Sequence, residues 1–572
     1  MDTRRLILFV IFSFSIMMLW DGWQRKDAPP VTQSAQSPAD QTADVETANT
    51  STFTSANGEN ESGQFNLMRG QRIKVSTDLY EAEIDTNGGD LRRLVLSKHF
   101  AANEKEGNFV LMNDSANGMT YVVQTGLMGK GLPEGALPNH KSQFTSSATS
   151  YKMADGAESQ EVRLSWTGNG AGDGIKVDKV YTFHRGSYVI DVTYQINNAS
   201  AAAIAPSVYY QIVHDDKSNQ GSIMMPTFTG GAYFTDETNY TKISFADMAK
   251  ENLSKTSKDG WIGLVQHYFA GAWILKAGAS RELYTKQLSE NIFVVGAVSP
   301  AANIGAGSRA EIGAQLFAGP QTKDDLNAAA KGLEYTVDYG WLTIIAKPLF
   351  WLLSKIHGFV GNWGIAIILL TVLIKAAFFR LSAASYRSMA QMRELAPRLQ
   401  SMKEKFGDDK QKMQQAMMEM YKTEKINPLA GCLPILMQMP VFIALYWMLS
   451  AVVELRHAPF FGWIQDLSAP DTFFGTIPSV VPLLGGMPIG LLPLLMGATM
   501  IIQTALNPAP TDPIQAKVMK IMPIVFSIFF FFFPAGLVLY WLVNNILSIA
   551  QQWYINKKIH AEAVAKKSGG KH

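Results

Sequence analysis

Five long apolar runs crowd the carboxy-terminal part of the chain: Trp363 to Phe379, Leu433 to Val453, Leu491 to Leu506, Ile521 to Phe533 and Leu537 to Tyr554. A bilayer core takes about 20 mainly apolar residues per helix, with shorter helices possible where the membrane thins. The runs therefore read as membrane spans. A sixth run lies at the amino end, where Arg4-Arg5 precede Leu6 to Trp20. A positive flank before an apolar stretch is the pattern of a secretory signal. No A-x-A-like cleavage site follows in Asp21 to Lys26, and Trp20 and Trp23 suit an interfacial belt, so residues 1–25 read as an uncleaved anchor with its amino terminus in the cytoplasm.

The rest of the chain has a different character. Of 572 residues only 17% are charged, below the roughly 25% usual in soluble domains, yet the apolar runs do not account for the whole length. Residues 26–64 are rich in Ser, Thr, Ala, Gln, Asn, Asp and Pro and cannot bury enough surface to offset ordering entropy, which makes them a flexible linker. From 65 to 335, alternating runs such as Val162 to Trp166, Lys179 to Phe183 and Tyr188 to Tyr194 are separated by Gly, Asn, Asp and Ser clusters. Period-two alternation with such punctuation predicts a large antiparallel β-sandwich. Residues 339–358 set Trp341, Ile344, Ile345, Phe350, Leu352 and Leu353 around Lys347, Pro348 and Lys355, as in an amphipathic helix lying in the membrane interface.

Basic residues fix the orientation. The segment 381–425, with Arg380 before it, carries Arg387, Arg393, Arg398, Lys403, Lys405, Lys410, Lys412, Lys422 and Lys425, whereas Glu454 to Gly490 carries only Arg456. By the positive-inside rule 381–425 is cytoplasmic, and so is the tail 557–572 with Lys557, Lys558, Lys566, Lys567 and Lys571. The β-domain then faces the opposite side. Within 381–425, Met389, Met392, Leu395, Leu399, Met402 and Phe406 fall at helical spacing, Gly407-Asp408-Asp409 interrupts them, and Met413, Met417 and Met420 continue on a second helix. This is a charged helical hairpin, either a solvated connector or a methionine-faced docking surface.

Several polar side chains lie inside the spans. Lys375 costs on the order of 2.5–3.5 kcal/mol at the centre of a span on insertion scales, so it either faces a wet cavity or snorkels past Arg380 to the headgroups. Thr371, Gln438, Thr499, Gln503 and Ser527 join it, and Asn544, Ser548 and Gln551 share one helix face at i, i+4 and i+7. Such groups are interhelical hydrogen-bond partners or, if they converge on Lys375, the walls of a hydrophilic groove. Val525, Phe529 and Phe532 form an apolar stripe at helical spacing.

Other chemistry finds little support. Cys432 is the only cysteine, which excludes an intramolecular disulfide framework. Leu429 to Cys432 mimics a lipobox but lies far from any amino-terminal signal, and His214-Asp215-Asp216 reads as a solvated turn rather than a metal site. A net charge of +2 argues against a specific nucleic-acid partner. Walker A, zinc-hydrolase and nucleophile-elbow motifs are missing, so ATP-driven transport and familiar hydrolase chemistry lose their basis.

Gly361 to Gly364, Tyr386 to Arg393 with Phe406 to Lys410, Asn427 to Pro434, Gln438 to Pro440 and Phe533 to Tyr540 occur in an order that closely resembles the YidC family of membrane protein insertases in its Gram-negative arrangement. The resemblance implies a polytopic α-helical membrane protein of six transmembrane helices with a large periplasmic all-β domain (a β-supersandwich), a five-helix core at 361–556 and the cytoplasmic hairpin. It implies a non-enzymatic insertase and chaperone of the bacterial inner membrane, needing no cofactor. Such a protein receives nascent membrane proteins, alone or beside the Sec translocon, with the ribosome or targeting factors at the hairpin and tail, and releases them into membrane lipid.

The family's groove charge maps onto Lys375, where arginine is commoner, so the charge is retained while a bidentate contact is not. Thr371, Gln438, Asn544, Ser548 and Gln551 would wet the groove. The family's hydrophobic slide maps onto Met439, Phe442, Val525, Phe529 and Phe532. Against this stands a membrane-anchored periplasmic glycan-binding protein or enzyme, in which the β-domain carries the activity. A secondary transporter lacks support, since no broken helices recur in repeated halves.

Overall fold

The computed structural model describes residues 67–101, 107–114, 119–217, 227–406, 409–424, 433–478, 485–507 and 513–569. The expected anchor 1–25 and linker 26–64, like Cys432, lie outside these residues. Residues 72–320 fold into two facing sheets, one of ten strands and one of nine. The predicted runs become three consecutive strands, Ser159–Thr167, Ile175–His184 and Val189–Asn198, paired antiparallel with Val192 opposite Tyr181 and Val162 opposite the same tyrosine. Along Val189–Asn198 burial alternates strictly, so Ile190, Val192, Tyr194 and Ile196 enter the core while Asp191, Thr193 and Gln195 face out. One pairing departs from the antiparallel expectation: Arg72–Ser76 runs parallel to Ser150–Lys152. His214 also departs, because it lies within the strand Pro206–Asp215 and is buried beside Phe245 rather than in a solvated turn.

The ten-stranded sheet carries a buried polar cluster that Lys179 of the other sheet approaches. Arg92 Nη2 lies 2.9 Å from Asp90 Oδ2, Gln124 Nε2 donates to the same oxygen at 2.9 Å, and Lys179 Nζ donates to the Gly88 carbonyl at 3.1 Å. Buried charges persist only when paired and hydrogen-bonded.

Helix α1 (Phe245–Lys250) interrupts the strands, and α2 (Lys323–Ala329) follows them. Helix α3 (Thr343–Val360) is the expected amphipathic element. Ala346, Phe350 and Leu353 pack inward, while Trp341 just ahead of it and Ile344, Trp351 and Phe359 on it are exposed. The helical part continues with α4 (Trp363–Ala377), α5 (Phe379–Glu394), α6 (Ala396–Phe406), α7 (Lys410–Thr423), α8 (Leu433–Ala451), α9 (Leu491–Leu506), α10 (Pro513–Phe530) and α11 (Ala535–Gly569).

Two expectations change here. Among the described residues no single helix is long and apolar enough to cross a bilayer; α4 and α5, bent by 67° at Phe378, meet that measure only as a pair. Of the six expected spans the anchor lies outside the described residues; among the others α4 and α9 are short, and Asn544, Asn545, Ser548, Gln551 and Gln552 dilute the apolar run of α11. The hairpin, expected as two helices, is built from three, because a break at Leu395 precedes Pro397 in the first turn of α6. Proline disfavours helical backbone in the residue before it and lacks the amide hydrogen that a helix interior needs.

The sandwich and the helices share one buried core, running from Ile73 to Leu542. At their junction Arg456 Nη1 donates to the Phe100 carbonyl, its guanidinium lies over the Phe109 and Phe269 rings, and His267 Nε2 meets the Ser450 carbonyl at 2.9 Å. Glu454 sits beside these contacts with its carboxyl pushed up to about 7 by burial, with Asp324 and Asp325 adding repulsion. A carboxyl raised in the native state favours that state below its unfolded pKa near 4.5 and loses this contribution as pH rises through 7. Limited proteolysis of the connection 330–342 should therefore quicken between pH 5 and pH 8. Glu454→Gln should flatten that pH dependence.

Candidate functional site

Helix α11 carries its polar residues on the faces turned to α4, α5 and α9, and the site forms where α4 ends. Lys375 occupies the last turn of α4, and its Nζ donates to Ser548 Oγ at 2.8 Å. The Ser548 hydroxyl in turn donates to the Asn544 carbonyl at 2.7 Å, and Tyr386, buried on α5, hydrogen-bonds the same hydroxyl. Three helices thus converge on one serine. The ammonium is drawn inward toward α11 rather than out along Arg380.

The 67° bend at Phe378 makes this possible. It turns α5 across α11, where Tyr386 and Met389 pack on Ile555. The bend frees backbone carbonyls that need donors, and Gln551 Nε2 supplies one to Phe379 O at 3.2 Å. Ser382 and Ser385 on the first turns of α5 are buried as well.

The other expected groove residues divide. Thr371 is buried one turn before Lys375, but its hydroxyl is satisfied within α4 by the Ile367 carbonyl at 2.7 Å. Asn544 is buried a turn before Ser548. Gln438 is elsewhere: its Nε2 donates to the Tyr540 hydroxyl, eight residues and about 12 Å of helix rise from Ser548. Tyr386 enters the sequence reading only as the start of a motif, and Asn545 and Gln552 are not among the expected groove residues. Asn545 Nδ2 donates to Thr499 Oγ1 and Gln552 Nε2 to the Leu506 carbonyl, each at 3.2 Å, so they tie α11 to α9. Their signal was a second polar pair, at i and i+7, alongside the stripe that was recognised.

The residues of the expected slide differ in their surroundings. Met439 on α8 and Val525 on α10 are exposed. Phe442 instead packs edge-on against Trp541 at 4.6 Å, and Phe529 against Phe533 at 4.9 Å. Phe532 lies beyond the end of α10 at Phe530, so it does not continue the helical stripe. The exposed apolar face of α10 is formed by Ile521, Ile524, Val525 and Ile528, again at spacings of three and four. Close packing holds this helix on α9: a Cβ on Gly497 would stand 2.6 Å from Ser527 Oγ, and that hydroxyl donates to the Pro493 carbonyl at 2.9 Å. Among the described residues no three His, Cys, Asp or Glu side chains converge as a metal site.

Residues 72–352 match the family model of the YidC periplasmic domain, and residues 355–562 match that of the 60Kd inner membrane protein. A protein of Methylobacillus flagellatus named membrane protein insertase YidC is 60% identical over 574 residues, covering 100% of this chain and 99% of that one. A protein of the same name from Aromatoleum aromaticum is 47% identical, with 100% of both chains covered. A solved structure described as an active YidC insertase aligns over 85% of this chain and 93% of its own at 17% identity, with a TM-score of 0.38; the assignment rests on the sequence matches instead. With matched models over both parts and full-length relatives at such identity, the chain belongs to the YidC family of membrane protein insertases.

Proposed function

We propose that the chain inserts hydrophobic nascent segments into the bacterial inner membrane and helps them fold, alone or with the Sec translocon. The observation that carries this reading is the Lys375 ammonium held on Ser548 where α4, α5 and α11 meet. A fixed cation in a polar recess among apolar helices offers a passing polar or acidic segment a partner that lipid does not. The apolar part of the client then follows the exposed isoleucine face of α10 and Met439 into lipid. No nucleotide enters the scheme, because burying about 20 apolar residues is downhill and a membrane potential adds about 2.3 kcal/mol per charge per 100 mV.

In this reading the chain crosses the membrane several times with both termini in the cytoplasm. The sandwich is periplasmic, and α5 to α7 with the basic tail receive the ribosome or targeting factors. The test is insertion of a small single-span client into liposomes holding only this chain, scored by protease protection. Deleting most of 72–320 should leave protection largely intact; its loss would favour the reading in which the β-domain carries the activity.

The isoleucine face gives a second expectation. Ile524 and Ile528 are exposed, so changing both to Ser removes little packing of the folded chain. Each offers a client helix apolar contact on the order of 1 kcal/mol. The double variant should insert an apolar client several-fold more slowly at unchanged melting temperature, and an unchanged rate would place the client's path elsewhere.

A further inference from the structure

The connection between α8 and α9 ends in a rim of uncovered rings. Phe461, Trp463, Phe473 and Phe474 are all exposed, and Phe359 at the end of α3 is 90% exposed. The two sets are neighbours, because Asn362 caps α4 with its side-chain oxygen and gives Nδ2 to the carbonyls of Pro459 and Phe460. The rings are also held in place. Asp471 accepts from Trp463 Nε1 at 3.1 Å, from the Phe473 amide at 3.0 Å and from the Leu492 amide at 2.8 Å, which sets Trp463 against Phe473 at 5.1 Å.

We propose that this rim seats in the headgroup and acyl boundary of the periplasmic leaflet, as a fixed lipid anchor on the loop side of the helices. Three observations on the molecule favour lipid over a protein partner. First, α4 and α9, which adjoin the loop, have 15 and 16 residues. At 1.5 Å per residue they span about 23 Å, short of a roughly 30 Å hydrocarbon core, so the polypeptide beyond their ends stands at membrane depth.

Second, a non-helical segment at that depth must satisfy its backbone internally. The loop does so through Phe460 to Ile464, Leu467 to Ala458, Phe474 to Ile489 and Ile477 to Met487 amide–carbonyl bonds, all between 2.9 and 3.1 Å. Third, every charged side chain of the described loop is turned to a protein partner. Arg456 goes to Phe100, Asp466 to Ser468 and His457, Asp471 to Trp463, and Glu454 to the Lys323 backbone. What remains outward is uncharged, the four rings with Gln465, Thr472 and Thr476 among them, a mixture of apolar rings and neutral polar groups that suits an interface, and it continues the exposed Trp351 and Phe359 face of α3.

The choice of leaflet rests on the orientation inferred above. Lipid contact does not, and the two are tested separately. In the full chain carrying Cys432→Ser, spin labels are placed at Phe461→Cys and Phe474→Cys, with Lys141→Cys on the sandwich surface as the aqueous reference. In vesicles of phosphatidylethanolamine and phosphatidylglycerol, the two loop labels should collide more with oxygen than with a water-soluble nickel chelate, and the Lys141→Cys label the reverse. Nickel-dominated collisions at both loop sites overturn the proposal, as does protection from both reagents, which would mean that protein, such as a second copy, covers the rim. Failure of a membrane-impermeant thiol reagent to reach Lys141→Cys in spheroplasts would overturn the orientation and the leaflet, leaving the depth result to decide lipid contact.

Discussion

Lys375→Ala should lower the insertion of a client with an acidic residue in its translocated segment by about tenfold or more, since a hydrogen bond to a charged group contributes about 1.5–3 kcal/mol and each 1.4 kcal/mol is a factor of ten. The effect should be selective. A client whose short translocated segment lacks acidic residues has no partner for the ammonium and should insert at nearly the original rate. The variant should also fold, because Ser548 keeps its bond to the Asn544 carbonyl and Tyr386 keeps its packing on Ile555. Lys375→Arg should retain most of the activity, for the charge stays while a planar fork replaces a point donor on a single serine. Ser548→Ala should fall between, having freed the ammonium without removing it. Equal protection of the acidic client by wild type and Lys375→Ala would leave the lysine a structural tie between α4 and α11, and the groove would have to be sought elsewhere.

How much of this was legible depends on the range of the interaction concerned. The strand Val189–Asn198 follows from local alternation, and the stripe Asn544, Ser548 and Gln551 from helical period alone. Lys375 stands out because charge is rare in such a run, but its partner Ser548 lies 173 residues away, beyond the reach of any local pattern. Gln438 looked equivalent in sequence and was not, since its place along α11 is set by how α8 packs. Phe532 satisfied the period of a helix that had already ended at Phe530. Lys179 lies on the inward face of its strand with Val177 and Tyr181, so alternation points it into the core, but a buried lysine is sensible only once the Gly88 carbonyl that accepts from it is in place. The loop 452–490 was read by its single basic residue; that its few charges all turn inward is a tertiary fact.

Arg92→Ala should destabilise the sandwich by about 3–5 kcal/mol, because removing one partner of a buried pair strands the other. Arg92 and Asp90 are almost wholly buried, and burial already pushes the Asp90 carboxyl up to about 6 against the opposing pull of Arg92 and Lys179. In the unfolded chain the same carboxyl titrates near 3.8, so the native state takes up its proton first as pH falls, and this contribution is lost as pH rises through about 6. Without Arg92 the native carboxyl rises further. The deficit should therefore be larger at pH 8 than at pH 5, a contrast that scanning calorimetry of the full chain reads directly. At 2–4 °C per kcal/mol for a domain of this size, the sandwich transition should drop by about 6–20 °C at neutral pH. Arg92→Met with Asp90→Asn should recover part of the loss, since it removes both charges rather than one. Insertion into liposomes should change little in any of these variants, because the cluster lies among the strands and touches neither Ser548 nor the α10 face. A variant whose sandwich melts early but inserts normally would separate the stability of the β-domain from the work of the helices. If Arg92→Ala abolished insertion while Lys375→Ala spared it, the activity would belong to the sandwich.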